Sequence, residues 1–290
     1  MTTLVCIHGR GQYGKNPDDL RRKWAAGLNF GLTTVGRKTV NPDKIVFPFY
    51  GDLLEAKKLQ AQQSGASIDL ESAEAVRDQH ISPLMPEKVA QVESDLLKSM
   101  ADQAGVTEFE PEGFEERLLK IPGARRLLQL IADRTNVDQE AIEAHLTDVA
   151  VYLKVAREEV LKVVRAELPP SDEPIVLIAH SLGSVVAHDL LQDTAIRDRT
   201  TLFVTAGSPL GLQACYKNLL AGKAVHPKVH AWASAFDPDD FVALGHPLAP
   251  LYGQPLEDLR VDNPPNKAHS IEYYLGHDRV AVRIGEGLGA

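Results

Sequence analysis

Three stretches of the chain are continuous apolar runs closed off by turn residues: Leu4–Ile7, Ile175–Ala179 and Leu202–Ala206. A strand with one wet face alternates apolar and polar side chains, whereas a strand apolar at every position is covered on both faces. β-Branched residues within the runs, and Gly, Pro and His around them, favour strand over buried helix. Weaker strand signals lie at Ile45–Phe49 and Val229–Ala233, and Leu256–Val261 reads as a last strand. Helical patterns fall between them. Asn16-Pro17-Asp18-Asp19 offers a capping side chain, a proline at the first helical position and acids in the first turn. Asp148–Leu168 places Val149, Tyr152, Leu153, Val160, Val163 and Val164 at helical spacing, and Gly183–Leu191 reads as helix. Asp278 is placed to cap a last helix carrying Val280, Val282 and Ile284. This alternation predicts an α/β fold, doubly wound, with a mostly parallel sheet of about six strands.

The stretch 53–146 breaks the alternation. It shows helical patterns near Leu54–Gln63, Pro86–Ala104, Ala124–Arg134 and Gln139–Tyr152, with loop-like sequence at Gly65–Asp69 and Glu108–Gly113. From Leu53 to His145 there are 18 acidic and 10 basic residues, so this part carries −8 of the chain's −9. We therefore expect a core made of 1–52 and 147–290 with a helical insert, a candidate cap or lid, at 53–146. The insert's only aromatic residues are Phe109 and Phe114, and its acidity argues for a soluble substrate over a lipid surface.

A chain of 290 residues has room for such a core plus insert. The net charge of −9 argues against nucleic-acid or anionic-membrane binding. No apolar run reaches the 18 residues of a membrane span, so integral membrane association is not expected. Cys6 and Cys215 are too few for a disulfide framework or a cysteine zinc site. The start of the chain has neither the basic region nor the cleavage site of a signal peptide, so a cytoplasmic location is expected. Nothing in the sequence marks an oligomeric state.

The residues with the most chemical content are Ile178-Ala179-His180-Ser181-Leu182-Gly183-Ser184, where a strand ends and a helix begins. A sharp turn there strains the central serine, exposes its hydroxyl above a helix N-terminus, and requires small residues two positions to either side. Ala179 and Gly183 meet that requirement. With these residues the chain resembles the α/β-hydrolase superfamily, above all small serine esterases and lipases carrying Ala-His-Ser-x-Gly. The resemblance covers residues 1–51 and about 147–290 and implies a shortened α/β-hydrolase fold with Ser181 as nucleophile.

It also implies the order serine, acid, histidine, and an oxyanion hole built from two backbone amides. One amide is that of Leu182, next to the nucleophile. The other is that of Arg10, because His8-Gly9-Arg10 resembles the His-Gly loops of lipases. Among Asp237, Asp239 and Asp240, the segment Asp240-Phe241-Val242-Ala243 resembles an Asp-Pro-Val segment of related esterases. Asp240 is thus the expected acid, with Asp237 the alternative and Asp239 last. His269, in Lys-Ala-His-Ser-Ile-Glu-Tyr-Tyr, resembles the segment carrying the base; His246 and His277 are the other histidines beyond the acid. Gly207–Gly211 resembles a loop near lipase sites and is either a pocket wall or a turn. His180 is expected to pack or hydrogen-bond locally.

The implied activity is hydrolysis of a small-molecule carboxylic ester, with no metal and no cofactor. An amidase, thioesterase or acyltransferase would use the same residues, and a non-catalytic binding scaffold is the alternative from another class. Gly9-Arg10-Gly11-Gln12-Tyr13-Gly14 also matches the dinucleotide-binding fingerprint. Pro17 starts the helix too late for that reading, and the first acid beyond the next strand candidate is Asp52.

Overall fold

The computed structural model describes residues 2–69, 85–106, 122–135, 137–170 and 172–289. Five parallel strands form one sheet in sequence order: β1 (Thr3–Ile7), β2 (Ile175–His180), β3 (Thr200–Ala206), β4 (Trp232–Phe236) and β5 (Leu256–Arg260). The helices are α1 (Pro17–Thr34), α2 (Gly51–Asp69), α3 (Glu87–Gln103), α4 (Pro122–Thr135), α5 (Gln139–Val151), α6 (Arg157–Glu167), α7 (Leu182–Leu190), α8 (Thr194–Asp198), α9 (Gln213–Lys217), α10 (Ala249–Tyr252), α11 (Ile271–Gly276) and α12 (Asp278–Leu288).

Among the described residues the strand count is five, one fewer than the sequence suggests, and the expected strand that does not form is Ile45–Phe49. Val46 makes a single parallel bridge to β1, its N–H donating to Leu4 O and its carbonyl accepting from Cys6 N, both at 2.9 Å. Pro48 has no N–H with which to continue the ladder. β4 begins at Trp232, three residues later than the weak signal at Val229.

Side chains alternate between two apolar layers. Val5, Leu177, Phe203, Trp232 and Leu256 lie in register across the sheet and face α3, α5, α6 and α7. Cys6, Ile178, Val204 and Ala233 point the other way, toward α1, α11 and α12. Because α1 follows β1 on one face and α7 follows β2 on the other, the connections diverge at the C-terminal ends of these neighbouring strands. Such a divergence leaves a crevice, the place where α/β sheets bind ligands. The loops after all five strands lie along this edge.

Helices α3, α4 and α5 bury Val89, Leu96, Leu97, Met100, Leu128, Ile131, Ile142 and Leu146 in the same apolar cluster as Val5 and Leu177. The expected helices at 139–152 and 148–168 join into one run through a π-helical turn, Tyr152–Ala156, which lets Tyr152, Leu153 and Ala156 all reach the core. The boundary at 146 falls inside α5. α2 runs on through Gly65–Asp69, read as a loop in the sequence, where no proline interrupts it. Glu108–Gly113 lies outside the described residues, as do Phe109 and Phe114. Asn16 caps α1 by accepting from Asp18 N at 2.8 Å. Asp278 does not cap α12: His277 holds that position, and Asp278 is the first helical residue, where its charge suits the helix N-terminus. Among the described residues no helix is long and apolar enough to cross a membrane.

Candidate active site

Ser181 stands between β2 and α7 with φ 55° and ψ −131°. A non-glycine residue held there stores about 1–3 kcal/mol of backbone strain. The cause is the close approach of α7 to the end of β1. A Cβ on Gly183 would lie 2.4 Å from Ile7 O and 2.5 Å from His8 O, so only glycine admits this contact. The same approach brings the loop after β1 onto the serine, since a Cβ on Gly9 would meet Ser181 Cβ at 2.7 Å.

Ser181, His269 and Asp240 form one hydrogen-bonded line. His269 Nε2 is 2.9 Å from Ser181 Oγ, and His269 Nδ1 is 2.8 Å from Asp240 Oδ2. Ser181 and Asp240 are each 1% exposed, whereas the His269 side chain is 29% exposed and is the part of the line that meets solvent. Burial opposes ionisation of Asp240. The His269 ring and its hydrogen bond, the Tyr274 hydroxyl donating to Oδ2 at 2.8 Å, and the Val242 amide donating to Oδ1 at 2.9 Å outweigh it. The carboxyl is held below its ordinary range, so it is an anion facing Nδ1. An anion there fixes the tautomer with Nδ1 protonated and Nε2 free to accept the serine proton.

Asp237 does not touch the ring. Its Oδ1 accepts from Asp239 N at 2.8 Å and its Oδ2 from Asn263 N at 2.6 Å, which ties the loop after β4 to the loop leading to His269. Asp239 is exposed. Gly207, at φ 53°, lies behind the His269–Asp240 bond: a Cβ on it would be 2.6 Å from Asp240 Oδ2 and 3.0 Å from His269 Nδ1. Ser208 Oγ pairs with Ser184 Oγ at 2.6 Å, so Gly207–Gly211 backs the line and braces α7.

Leu182 and Arg10 carry the two backbone amides expected to form the oxyanion hole. Leu182 is the first residue of α7, where an N–H has no acceptor within the helix. The Gly9 carbonyl accepts from His8 Nδ1 at 2.8 Å, and His8 Nε2 accepts from Tyr50 N at 3.1 Å. The Gly9–Arg10 peptide is trans, so with its carbonyl turned to His8 the Arg10 N–H points the opposite way. Burial pushes His8 down to about 4, and the neutral ring keeps both bonds. The Arg10 side chain turns to α5 and pairs with Asp148 Oδ2 at 2.8 Å, while Lys58 Nζ approaches the other oxygen at 3.4 Å.

His180 reaches further than local packing: its Nε2 is bonded to His269 O at 3.0 Å, and burial, then His269, push it down to about 3. His246 is half-buried, bonded to Ser234 Oγ and Ala243 O, and His277 pairs with Asn263. The Gly9–Gly14 loop binds Asp52 through Gly14 N at 2.8 Å, and α1 starts beyond it, which is not the geometry of a dinucleotide loop. His226 and His230 stand four apart but not on a helix, and both ring nitrogens of His226 are bonded to backbone. Tyr274, His145, Asp148 and Phe241 are neighbours of the site that the sequence reading did not pick out.

No protein-family model matches the chain, and neither does any curated protein sequence.

Proposed function

We propose that the protein is a serine hydrolase of the α/β-hydrolase type that cleaves a carboxylic ester through an acyl-enzyme on Ser181. The observation that carries the reading is the strained Ser181, joined to His269 and through it to ionised Asp240. His269 takes the Ser181 proton as Oγ attacks the carbonyl carbon. The imidazolium so formed is stabilised by Asp240 and then protonates the leaving alcohol. The Leu182 and Arg10 amides receive the negative charge on the carbonyl oxygen. Water, deprotonated by His269, releases the acid and restores Ser181. The chemistry asks for no metal or cofactor. The divergence of connections at β1 and β2 supports the shortened α/β-hydrolase fold, and α5, lying over Arg10, supports a cap role for the helical segment.

A fluorophosphonate probe and p-nitrophenyl esters from acetate to palmitate test the reading. The wild type should label at Ser181 and turn over at least one ester, and Ser181→Ala should do neither. An unlabelled wild type would sink it and leave the binding scaffold.

A further inference from the structure

We infer that His145 is a substrate-binding residue: its imidazole, buried beside the catalytic line with both nitrogens unbonded, holds an uncharged oxygen of the substrate, a hydroxyl close to the scissile ester. The inference rests on the hydrolase reading and names the substrate class for that site.

His145 sits on α5 and is 1% exposed. Its ring meets Phe241 edge-on at 5.7 Å, and Phe241 in turn lies 6.0 Å from the His269 ring. Arg10, His269 and Asp240 are all close enough to act on its charge. Neither Nδ1 nor Nε2 has a hydrogen-bond partner among the described residues. The other histidines packed inside each make at least one bond: His8 uses both nitrogens, half-buried His180 bonds the His269 carbonyl, and His188 bonds Val225 O through Nε2, leaving only its Nδ1 without a partner among the described residues. A buried polar group without a partner is costly to keep, and a site that awaits a ligand is one reason to find it.

The chemistry of the ring selects the ligand. Burial, and then the neighbouring Arg10 guanidinium and His269 ring, keep His145 neutral. A neutral imidazole has one donor and one acceptor, and a hydroxyl can answer either. An anionic group would need an unpaired cation, but Arg10 is already paired with Asp148. With the ring one aromatic residue away from His269, the hydroxyl belongs to the acyl or the alcohol part of the ester.

The test uses two pairs of esters: p-nitrophenyl butyrate with p-nitrophenyl 3-hydroxybutyrate, and butyl butyrate with glyceryl monobutyrate. A site built to bond a hydroxyl discriminates strongly against the analogue that lacks it. Wild type should favour the hydroxylated member of at least one pair by about tenfold or more in kcat/KM. His145→Phe should lose that preference, the hydroxylated ester falling further than the plain one, and His145→Gln, which keeps a donor and an acceptor, should restore part of it. Equal rates for both members of both pairs in the wild type, no turnover of either hydroxylated ester, or an undiminished preference in His145→Phe would overturn the inference. The wild-type comparison stands even if His145→Phe does not fold. Fluorophosphonate labelling of wild-type Ser181 separates the two failures: a labelled enzyme with no hydroxyl preference loses only the His145 assignment, and an unlabelled one loses the hydrolase reading itself.

Discussion

Replacing Asp240 by asparagine asks whether this carboxylate, and not Asp237, governs Ser181. Oδ2 of Asp240 faces two donors, His269 Nδ1 and the Tyr274 hydroxyl, each at 2.8 Å, and Oδ1 faces the Val242 amide at 2.9 Å. Asparagine has one oxygen and cannot accept from both sides. With that oxygen toward Val242, the NH2 group faces His269, and the ring proton shifts to Nε2, the atom that must accept from Ser181. With the oxygen toward His269, the NH2 group is pressed on the Val242 amide and the imidazolium loses its anion. Loss of the charge-assisted bond removes about 1.5–3 kcal/mol. At about 1.4 kcal/mol per factor of ten, that is a ten- to hundredfold fall in rate. The tautomer change brings the fall in kcat to about 10³–10⁴-fold, the size expected when an aspartate–histidine pairing of this kind is cut. Asp237→Asn leaves the ring's own bonds intact and should stay within about tenfold of wild type. Ester kinetics on both variants, with thermal melts to establish folding, decide the matter. If Asp240→Asn keeps more than a tenth of the activity, or Asp237→Asn is the more damaging, the assignment of the acid is wrong.

Ser181→Gly should melt above Ser181→Ala by about 1 kcal/mol of stability, because both lose the hydroxyl but only glycine relieves the positive φ; equal melts would mean the turn is not strained. Gly183→Ala should cost about 3 kcal/mol in urea unfolding, since the new methyl meets the carbonyl oxygens of Ile7 and His8 at the end of β1 and neither can move freely. Burial pushes the Glu93 carboxyl up to about 7 from 4.5, against the Thr147 hydroxyl that favours its ionised form. A carboxyl raised on folding disfavours the native state once it ionises, so it costs roughly 3 kcal/mol as pH rises from 4.5 through about 7. Glu93→Gln should remove that loss, and urea unfolding of both proteins at pH 5 and pH 8 measures it.

The parts of the molecule legible in the sequence are those whose cause is local. The apolar runs at Leu4–Ile7, Ile175–Ala179 and Leu202–Ala206 became β1, β2 and β3, packed on both faces, because a strand covered on both faces has no polar side to display. Asn16 and Pro17 placed the start of α1, and the serine turn with Gly183 is written in seven consecutive residues. The order of Ser181, Asp240 and His269 came from a resemblance, and the hydrogen bonds joining them span 88 and 29 positions that no local pattern encodes. Ile45–Phe49 has strand composition, yet it needs a ladder partner at every second residue and Pro48 removes one. Asp237 and Asp240 lie three residues apart, and the sequence does not show that Asp240 meets the His269 ring while Asp237 meets the backbone of Asn263.

Helix α5 marks the limit of such reading most clearly. His145 and Asp148 are three apart, so helical geometry alone puts them on one face. Periodicity cannot say what that face meets, because the answer is Arg10, 138 residues away. The pairing has a mechanical consequence. Arg10 follows Gly9, which packs on Ser181, and gives its guanidinium to Asp148, so the loop after β1 is held from two directions, by His8 on the sheet side and by α5 on the other. In the proposed mechanism Arg10 cannot shift without moving its amide, a donor that must lie within a few tenths of an ångström of where charge develops. A helix that looks in sequence like the end of a separate acidic insert thus sets the position of one proposed oxyanion donor. Loosening it by Asp148→Asn should therefore lower kcat more than it raises KM.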